Sequence, residues 1–572
     1  MKMLLRYLRP SARAMSFGLS VKVLATLLEL MLPYILSHIL DVIVPRQSVW
    51  QVLLWGGVML LCATGAYFGN VIANRNAARV ARDASRQMRH DLFDATMHLS
   101  ARQTDKFTIP SLESRLTTDT YNVYSFMSMM QRMGVRAPML LLGGMAITLF
   151  LDWRLALILL AILPLIGVAV FAIARRGLPL YQKSQKAVDG MVRVVREDCQ
   201  GVRVVKALSR EEYEKERFDS ANLALIDAER RAGVLMASSQ PVMSLLLHIG
   251  LSLVIGLGAV FVQGGVSAPG RIIAFMQYFT LMSTAMSVIT RIFAQYSKCM
   301  ASAARIEEVI EATARKEEPK STQTGTENAP HIAFENVSFS YNGRRDNLKN
   351  ISFSLPRGGT LGVIGATGAG KTTLVQLLMR FYDASSGRVL IDGRDVRDFD
   401  EKELRTRFGV VMQNDFIYAD TVAENIRFGR EIGNEQIQAA ARIAQAAEFI
   451  EQFPEKYEHA LTTKGTNVSG GQRQRLLIAR ALAGDPEILI LDDASSALDY
   501  RTDANLRAAI KQSTHATTVI VAQRVSSVMH ADHILVLENG AVLAAGKHEE
   551  LLANCSAYRE ISESQMGGAF LE

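Results

Sequence analysis

The glycine-rich segment 365–372, GATGAGKT, has the residue types and the spacing that bind phosphate groups. Its three glycines lack a Cβ, so backbone amides can approach phosphates closely. The ammonium group of Lys371 is expected to reach the β- and γ-phosphates of a nucleotide, and the hydroxyl of Thr372 to bind Mg²⁺. The residues predicted to contact the nucleotide here are Gly365, Thr367, Gly368, Ala369, Gly370, Lys371, Thr372 and Thr373.

A second candidate is the apolar run 487–493, EILILDD, which ends in two acids. Asp492 is placed to hold the Mg²⁺ shell, and Asp493 stands where a base for an attacking water belongs. Many strands end in aspartate, so this assignment depends on the phosphate-binding segment upstream. Together the two segments predict a site that binds Mg²⁺ and a nucleoside triphosphate.

The elements around these residues predict an α/β domain from about His331 onward. An apolar strand precedes the glycine-rich segment and a helical pattern follows it, which is the context that phosphate binding requires. Short β-branched runs alternate with helical stretches through the rest of this region. The runs predicted to be strands are 361–365, 387–393, 408–413, 487–493, 517–523 and 533–540.

The first half of the chain contains long apolar stretches. Hydrophobic residues make up 49% of the sequence and charged residues 21%, which fits a membrane part joined to a soluble part. About 20 apolar residues are needed to cross the hydrocarbon core of a bilayer. Six stretches satisfy this requirement and predict an all-α transmembrane domain: 15–44, 52–73, 133–151, 155–174, 242–262 and 272–294.

Basic residues set the expected orientation of these spans. The second and third spans, and the fourth and fifth, are joined by long charged connectors that are basic near the membrane, whereas the other connections are short. The positive-inside tendency places the long connectors and the N-terminus in the cytoplasm of a multi-pass inner- or plasma-membrane protein. Although the net charge is +7, this placement of Lys and Arg argues against nucleic acid as a partner.

Composition also marks a boundary between the two parts. The helical pattern after the sixth span gives way to 319–330, PKSTQTGTENAP, which is typical of a linker. The predicted domains are therefore a transmembrane domain at 1–312, a linker at 313–330 and a nucleotide-binding domain at 331–572.

The segment 467–475, NVSGGQRQR, resembles the signature motif of ATP-binding cassette (ABC) proteins, and the order of the parts resembles an ABC half-exporter of type IV. The resemblance covers essentially the whole chain. It implies ATP and Mg²⁺ as cofactors, Tyr341 stacking on adenine, Gln413 touching Mg²⁺, and the loop 496–499 exchanged between partners. It further implies a head-to-tail dimer in which one chain's signature closes the ATP site of the other; those signature residues are Ser469, Gly470, Gly471 and Gln472. The start of a helix suits this role, since its amides can cap a γ-phosphate.

The long connectors also match the family. The stretch 111–119 resembles the first coupling helix of such exporters, and 197–208 resembles the second. An alternative is that both are amphipathic helices facing solvent.

Two catalytic positions depart from the family pattern; in addition, the stretch 461–465 lacks the acid often seen before the signature, and Val468 replaces the usual leucine. Asp493 replaces the usual glutamate and Gln523 the usual switch histidine, while the signature keeps its Ser-Gly-Gly-Gln core. We expect this chain's own site to bind Mg-ATP and to turn over slowly, with Asp493 and Gln523 in the catalytic positions. The combination resembles the degenerate-site subunit of bacterial heterodimeric multidrug exporters. The alternative is a homodimeric exporter of lipid or peptide with slow ATP hydrolysis.

Membrane lipid and a small amphiphilic substrate are the other expected partners. Glu29 and His248 lie inside apolar runs, where ionisable groups are costly, so each is a candidate substrate contact. The alternative is that each faces a water-filled cavity or a neighbouring helix and binds no ligand. A Glu29 that faces the cavity would favour cationic amphiphiles. Five residues of the sixth span offer an adaptable apolar wall, although such residues more often serve simple packing: Phe275, Met276, Phe279, Met282 and Met286.

Three other function classes fit less well. An ATP-gated regulator or channel is disfavoured by six spans with paired coupling helices, and a soluble DNA-associated ATPase is excluded by the spans. Importers usually keep the membrane and cassette parts in separate chains, whereas this chain fuses them.

Overall fold

A computed structural model of the chain describes residues 2–314 and 329–566. The predicted linker, 313–330, therefore lies mostly outside the described residues. The chain divides into two compact units. The first contains Met1–Leu99 and Phe107–Ala314, and the second contains Ser100–Lys106 together with the described residues after position 328.

Long helices make up the described part of the chain before position 315. A short π-helical turn interrupts the series at Ile39–Ile43 and another at Arg115–Asp119. The helices are, in chain order, α1 (Lys2–Leu8), α2 (Ala12–His38), α3 (Val49–Met97), α4 (Ala101–Phe107), α5 (Ile109–Ser114), α6 (Thr120–Met133), α7 (Arg136–Leu151), α8 (Trp153–Ala207), α9 (Glu211–Ala237), α10 (Ser239–Gln263) and α11 (Pro269–Ala314).

Six helical segments among the described residues are long and apolar enough to cross a membrane, so the prediction of six spans is confirmed. Each predicted span falls on one of these segments or its direct helical continuation. The segments are Met3–Arg46, Val49–Met97, Ile109–Leu151, Trp153–Ala207, Glu211–Gln263 and Pro269–Ile289.

The second unit is the predicted α/β domain. Its strands are β1 (Ile332–Phe339), β2 (Leu348–Leu355), β3 (Thr360–Gly365), β4 (Ser386–Ile391), β5 (Arg394–Asp395), β6 (Phe408–Val411), β7 (Ile488–Asp492), β8 (Thr517–Val521), β9 (His533–Glu538) and β10 (Ala541–Gly546). Its helices are α12 (Lys371–Leu378), α13 (Glu401–Thr406), α14 (Val422–Arg427), α15 (Asn434–Ile443), α16 (Ala447–Glu451), α17 (Gly470–Leu482), α18 (Tyr500–Ser513), α19 (Val525–Val528), α20 (His548–Asn554) and α21 (Ser556–Met566).

The larger sheet determines where the site can form. It has the strand order β10-β9-β3-β8-β7-β6, in which β9, β3, β8, β7 and β6 run parallel. These strands are short and β-branched, and β7 is buried along its whole length, as expected for a sheet covered on both faces. The carboxyl ends of parallel strands meet at one edge, and ligands of such sheets bind outside that edge.

The smaller sheet, β2-β1-β4-β5, is antiparallel. Its apolar face shares one core with the larger sheet: Phe334, Leu348, Val363 and Ile490 are all buried in the same cluster. Only one of its strands, β4, belongs to the predicted set. The other three are short, half-polar or both, so their pattern is weaker.

The first long connector is divided between the two units. Ser100–Lys106 groups with the α/β unit, whereas the stretch 111–119 belongs to the first unit. Asp119 at the end of that stretch is buried and accepts hydrogen bonds from Ser302 at 2.8 Å and from Arg305 Nε at 2.8 Å. A buried, paired carboxylate of this kind anchors the stretch to α11.

Candidate functional site

A cavity of about 220 Å³ lies at the carboxyl edge of the larger sheet. It collects residues that follow β3, β6, β7 and β8, although these strands are far apart in sequence. The lining residues are Asn347, Thr367, Gly368, Gly370, Lys371, Thr372, Thr373, Gln413, Asp492, Asp493, Val521, Ala522 and Gln523.

The glycine-rich segment turns sharply between β3 and α12. Gly370 has φ +98° and forms the N-cap of α12; a Cβ there would lie 2.8 Å from the carbonyl oxygen of Asn347. Gly368 also has a left-handed backbone, with φ +83°. The turn directs the first amides of α12 toward the cavity, which is the arrangement that binds phosphate. Gly365 and Ala369 belong to the same turn but are not among the described residues that line the cavity.

Lys371 lies at the start of α12 with its ammonium group folded back over the turn. Its Nζ donates hydrogen bonds to the carbonyl oxygens of Gly365 at 2.7 Å and Ala366 at 3.0 Å. Burial lowers the pKa of Lys371, while the nearby carboxylates of Asp492 and Asp493 oppose that shift. Two backbone carbonyl oxygens therefore hold the ammonium group of Lys371 in the cavity. A phosphate oxygen can take their place as its hydrogen-bond partner.

Asp492, the last residue of β7, is buried, and its Oδ2 has no hydrogen-bond partner. Burial raises the pKa of this carboxyl group, and the hydrogen bond to Thr372 opposes the shift. A buried carboxylate oxygen without a partner is costly unless a ligand supplies one. Thr372, Asp492 and Gln413 all line the cavity and offer the oxygen donors that Mg²⁺ takes, so the predicted set fits this ion.

Asp493 follows Asp492 and has a left-handed backbone, with φ +54°. Its carbonyl oxygen accepts hydrogen bonds from Gln474 Nε2 at 3.1 Å and from Ser496 Oγ at 3.0 Å. Burial raises the pKa of its carboxyl group, against the opposing effects of Lys371 and Arg524. The carboxylate accepts a hydrogen bond from Gln523, whose Nε2 lies 3.3 Å from Oδ2. The two residues that depart from the family pattern are therefore in contact.

Tyr341 lies beside the cavity rather than in its lining. Its hydroxyl is 3.2 Å from Thr373 Oγ1 and donates to Gln376 Oε1 at 2.5 Å. The ring is 42% exposed, with Phe339 and Tyr382 against it in edge-on contacts. An exposed ring face beside the first turn of α12 is suited to stacking a nucleotide base.

The signature residues lie outside this chain's own cavity. Ser469 caps α17: its Oγ accepts from Gln472 N at 3.2 Å, and its own N–H donates to Gln472 Oε1 at 2.9 Å. Gly470 and Gly471 form the first turn of α17, next to Ala497. This helix start is preformed and exposed, and its free amides are not used by the cavity described above.

Three residues of the cavity lining were not predicted from the sequence. Asn347, Val521 and Ala522 face the same space, although none belongs to a phosphate or metal motif. The backbone of Val521 and Ala522 follows from the register of β8, which pairs Asp492 with Val521. The placement of Asn347 depends on the loop before β2 and left no signal in the sequence.

A second group of ligand-type side chains lies at the opposite end of β7. Nε2 of the buried His331 is 3.9 Å from Asp392 Oδ1 and 3.8 Å from Glu487 Oε2. Both carboxylates are already paired with Arg357, at 3.0 Å and 3.3 Å. This charge balance makes the group a structural ion-pair network rather than a metal site.

The candidate substrate contacts of the first unit have protein partners. Glu29 is paired with Arg136, with Oε1 and Nη2 2.6 Å apart, so the expected preference for cationic compounds loses its basis. His248 is exposed and hydrogen-bonded to the carbonyl oxygen of Ser244 at 2.6 Å. Of the expected apolar wall, three members are fully buried in a helix-packing cluster, which favours the packing alternative: Phe275, Phe279 and Met282.

Comparison with known proteins gives a consistent result for both parts. The family described as the ABC transporter transmembrane region matches residues 15–286, and the family described as ABC transporter matches residues 348–496.

Individual relatives cover nearly the whole chain. It is 33% identical over 569 residues to an uncharacterized ABC transporter ATP-binding protein of Bacillus subtilis, YfiB, covering 99% of both chains. It is 31% identical over 486 residues to an ATP-dependent lipid A-core flippase of Vibrio cholerae, covering 84% of this chain and 83% of that one. The solved structure of a bacterial Atm1-family ABC exporter with ATP bound matches with a TM-score of 0.81 and 24% identity, over 98% of this chain and 99% of that one, which shows the fold.

Proposed function

This chain belongs to the ABC transporters, as a half-exporter that fuses a transmembrane region to an ATP-binding region, and we propose that it is one subunit of a heterodimer whose own ATP site binds the nucleotide but cleaves it slowly. ATP-driven transport is the activity of this family. In the proposed complex two unlike chains have different roles: this chain binds ATP and supplies its signature, and the partner's site hydrolyses ATP.

The contact between Gln523 and Asp493 carries the proposal. The aspartate carboxylate is one methylene shorter than glutamate, which withdraws it by about 1.5 Å, a bond length. A base must lie within hydrogen-bond reach of its water, and a misplacement near 1 Å can cost about 10²-fold in rate. Gln523 can donate to a phosphate but cannot carry a proton charge, and here its amide occupies one oxygen of the same carboxylate.

The groups that bind the nucleotide are retained. Lys371 and the first turn of α12 suit the phosphates of a nucleotide, and the exposed ring of Tyr341 suits its base. Thr372, Gln413 and Asp492 would hold Mg²⁺, and the unpartnered Oδ2 of Asp492 supports that assignment. When bound, the ion would neutralise phosphate charge. The site thus keeps the residues for binding and lacks the family's two residues for cleavage.

The signature supports the second half of the proposal. Ser469 caps a well-formed helix whose exposed start lies away from this chain's own cavity. A hydroxyl and free amides at a helix start suit a γ-phosphate supplied by another chain. We therefore infer that this chain lends an intact signature to the site where its partner hydrolyses ATP.

Charges in the first unit narrow the proposed substrate class. The buried Lys22 donates hydrogen bonds to Asn70 at 2.7 Å and Asn74 at 3.1 Å. Glu29 of the same unit is already paired with Arg136, whereas the hydrogen bonds described for Lys22 go to amides and not to a carboxylate. We propose a hydrophobic or amphiphilic substrate with a neutral or anionic head group, moved out of the cytoplasm across the inner or plasma membrane, with the ATP-binding region on the cytoplasmic side.

The pairing is tested by purifying the tagged full-length chain from its native host and measuring the intact complex by native mass spectrometry. The expected result is a one-to-one complex with a second half-exporter that carries glutamate and histidine at the two departing positions. A complex of two identical chains that hydrolyses ATP slowly would instead support the alternative, a homodimeric exporter of lipid or peptide.

A further inference from the structure

The C-terminal helix α21 packs directly on the segment that follows β8. Tyr558 of this helix is fully buried in a cluster that also contains Val525 and Val528 of α19, and Ile561 packs against the same cluster. The cluster extends to Ile364 at the end of β3. The helix is therefore fixed next to the cavity by apolar burial rather than lying free on the surface.

Gln565, near the end of α21, joins this helix to the backbone on both sides of Arg524. Its Oε1 accepts a hydrogen bond from Val525 N at 2.8 Å, and its Nε2 donates one to the carbonyl oxygen of Gln523 at 2.8 Å. Val525 N–H is the first amide of a short helix and has no partner within that helix. One side-chain amide thus satisfies two backbone groups of the cavity edge.

Fixing these two peptide groups orients two side chains. Gln565 donates to the carbonyl group of Gln523, and the orientation of that peptide sets the direction of the Gln523 side chain. The Gln523 side chain reaches Asp493. Arg524 lies between the two bonded groups with an extended backbone. Its guanidinium points to the carbonyl oxygens of Ser496 at 3.4 Å and Leu498 at 3.5 Å.

We propose that Gln565 is a positioning residue for the segment 523–525, holding Gln523 where it can contact the γ-phosphate. The inference rests on the proposed role of Gln523 as that contact. It adds a part of the site that lies far along the chain and belongs to none of its motifs.

The test compares ATP with ADP, because only ATP offers the γ-phosphate. The equilibrium dissociation constants of Mg-ATP and Mg-ADP are measured for the full-length chain, and their ratio is taken as the readout. Gln565→Ala is expected to lower the preference for ATP about three- to ten-fold, in line with the loss of a hydrogen-bonded support. Mg-ADP affinity is expected to stay within about two-fold.

Two further variants separate positioning from folding. Gln565→Glu keeps the acceptor for Val525 N–H but sets a carboxylate oxygen against the carbonyl oxygen of Gln523, so a loss of ATP preference at least as large as in Gln565→Ala is expected. Ser564→Ala, on the exposed neighbouring residue, is the matched control and is expected to keep the full preference. A thermal midpoint for each variant shows that the fold is retained.

A double-mutant cycle shows whether the effect passes through Gln523. In a Gln523→Ala background, Gln565→Ala is expected to cause no further loss of ATP preference. An unchanged preference in Gln565→Ala alone, or an equal loss in both backgrounds, would overturn the inference. If Gln523→Ala itself leaves the preference for ATP over ADP unchanged, the proposed role of Gln523 is wrong as well. If Gln523→Ala lowers this preference and Gln565→Ala does not, only the proposed role of Gln565 is wrong.

Discussion

The side-chain amide of Gln523 donates a hydrogen bond to the carboxylate of Asp493, with Nε2 and Oδ2 3.3 Å apart. These are the two catalytic positions at which the sequence departs from the residues that the family resemblance leads us to expect. Their contact links the departures physically, because the donor that should face a phosphate is close enough to engage the carboxylate that should face a water. The pair offers a common reason for the slow cleavage that we propose for this site.

Asp492→Asn should weaken Mg²⁺ binding by about 10- to 100-fold, the size of effect seen when a metal site loses a supporting group. The buried Oδ2 has no protein partner, and an amide replaces a charged oxygen there by a neutral group. The measurement is a Mg²⁺ titration of ATP binding. Ser564→Ala serves as the control, and an unchanged Mg²⁺ midpoint in Asp492→Asn would remove Asp492 from the proposed ion site.

The same carboxylate predicts a pH dependence of stability without Mg²⁺. Burial raises the pKa of Asp492 in the folded state, so the folded protein holds the proton more tightly than the unfolded chain. That contribution to stability is present at low pH and is lost as pH rises through the raised pKa. In EDTA, the thermal midpoint of Asp492→Asn should fall less steeply with rising pH than that of the wild type. Identical slopes would show that Asp492 is not the responsible group.

Ser469 has two separable roles. Ser469→Ala removes the cap of α17 and should cost about 1 kcal/mol of stability. Ser469→Asp keeps a capping oxygen but places negative charge toward a γ-phosphate. Both variants should lower ATP hydrolysis by the complex with its partner about 10²-fold, as for loss of one donor to a transition-state oxygen. Only the alanine variant should lower the thermal midpoint; near-normal hydrolysis by Ser469→Asp would contradict the assigned signature role.

The Glu29–Arg136 pair should act as one unit in the membrane region. Glu29→Gln leaves a partly buried guanidinium without its charged partner, at a cost of about 1–3 kcal/mol. The double variant Glu29→Gln with Arg136→Gln should recover most of that stability, since both charges are removed. Thermal unfolding in detergent measures the cycle. Additive losses would show that the two side chains do not depend on each other.

Much of the α/β unit could be predicted from the sequence because its strands are buried on both faces. The run 488–491 is apolar throughout and belongs to β7, a strand between two others, whereas β5 has two charged residues and no apolar pattern. The phosphate-binding turn was predictable for a related reason. Its glycines are required by backbone angles and close approaches that few other residues tolerate, as at Gly370.

Side-chain partners were less predictable. Nothing in the sequence around Glu29 indicates that Arg136, on another helix, neutralises it, because that contact depends on how helices pack. Asn347 and Gln565 likewise reach the cavity region through loops and a distant helix. Periodicity predicts which face of an element is buried, but it does not predict which polar groups meet across elements.

Slow cleavage at this chain's own site is tested most directly by ATP hydrolysis by the full-length chain purified without any other subunit, compared with its Asp493→Glu, Gln523→His double variant. A second copy can complete the restored site because the signature residues are intact. We expect a wild-type rate close to that of a Lys371→Met control, and a gain of about 10- to 100-fold in the double variant. A wild-type rate in the ordinary enzyme range, about 1–10³ s⁻¹, with no gain in the double variant, would contradict slow cleavage at this site.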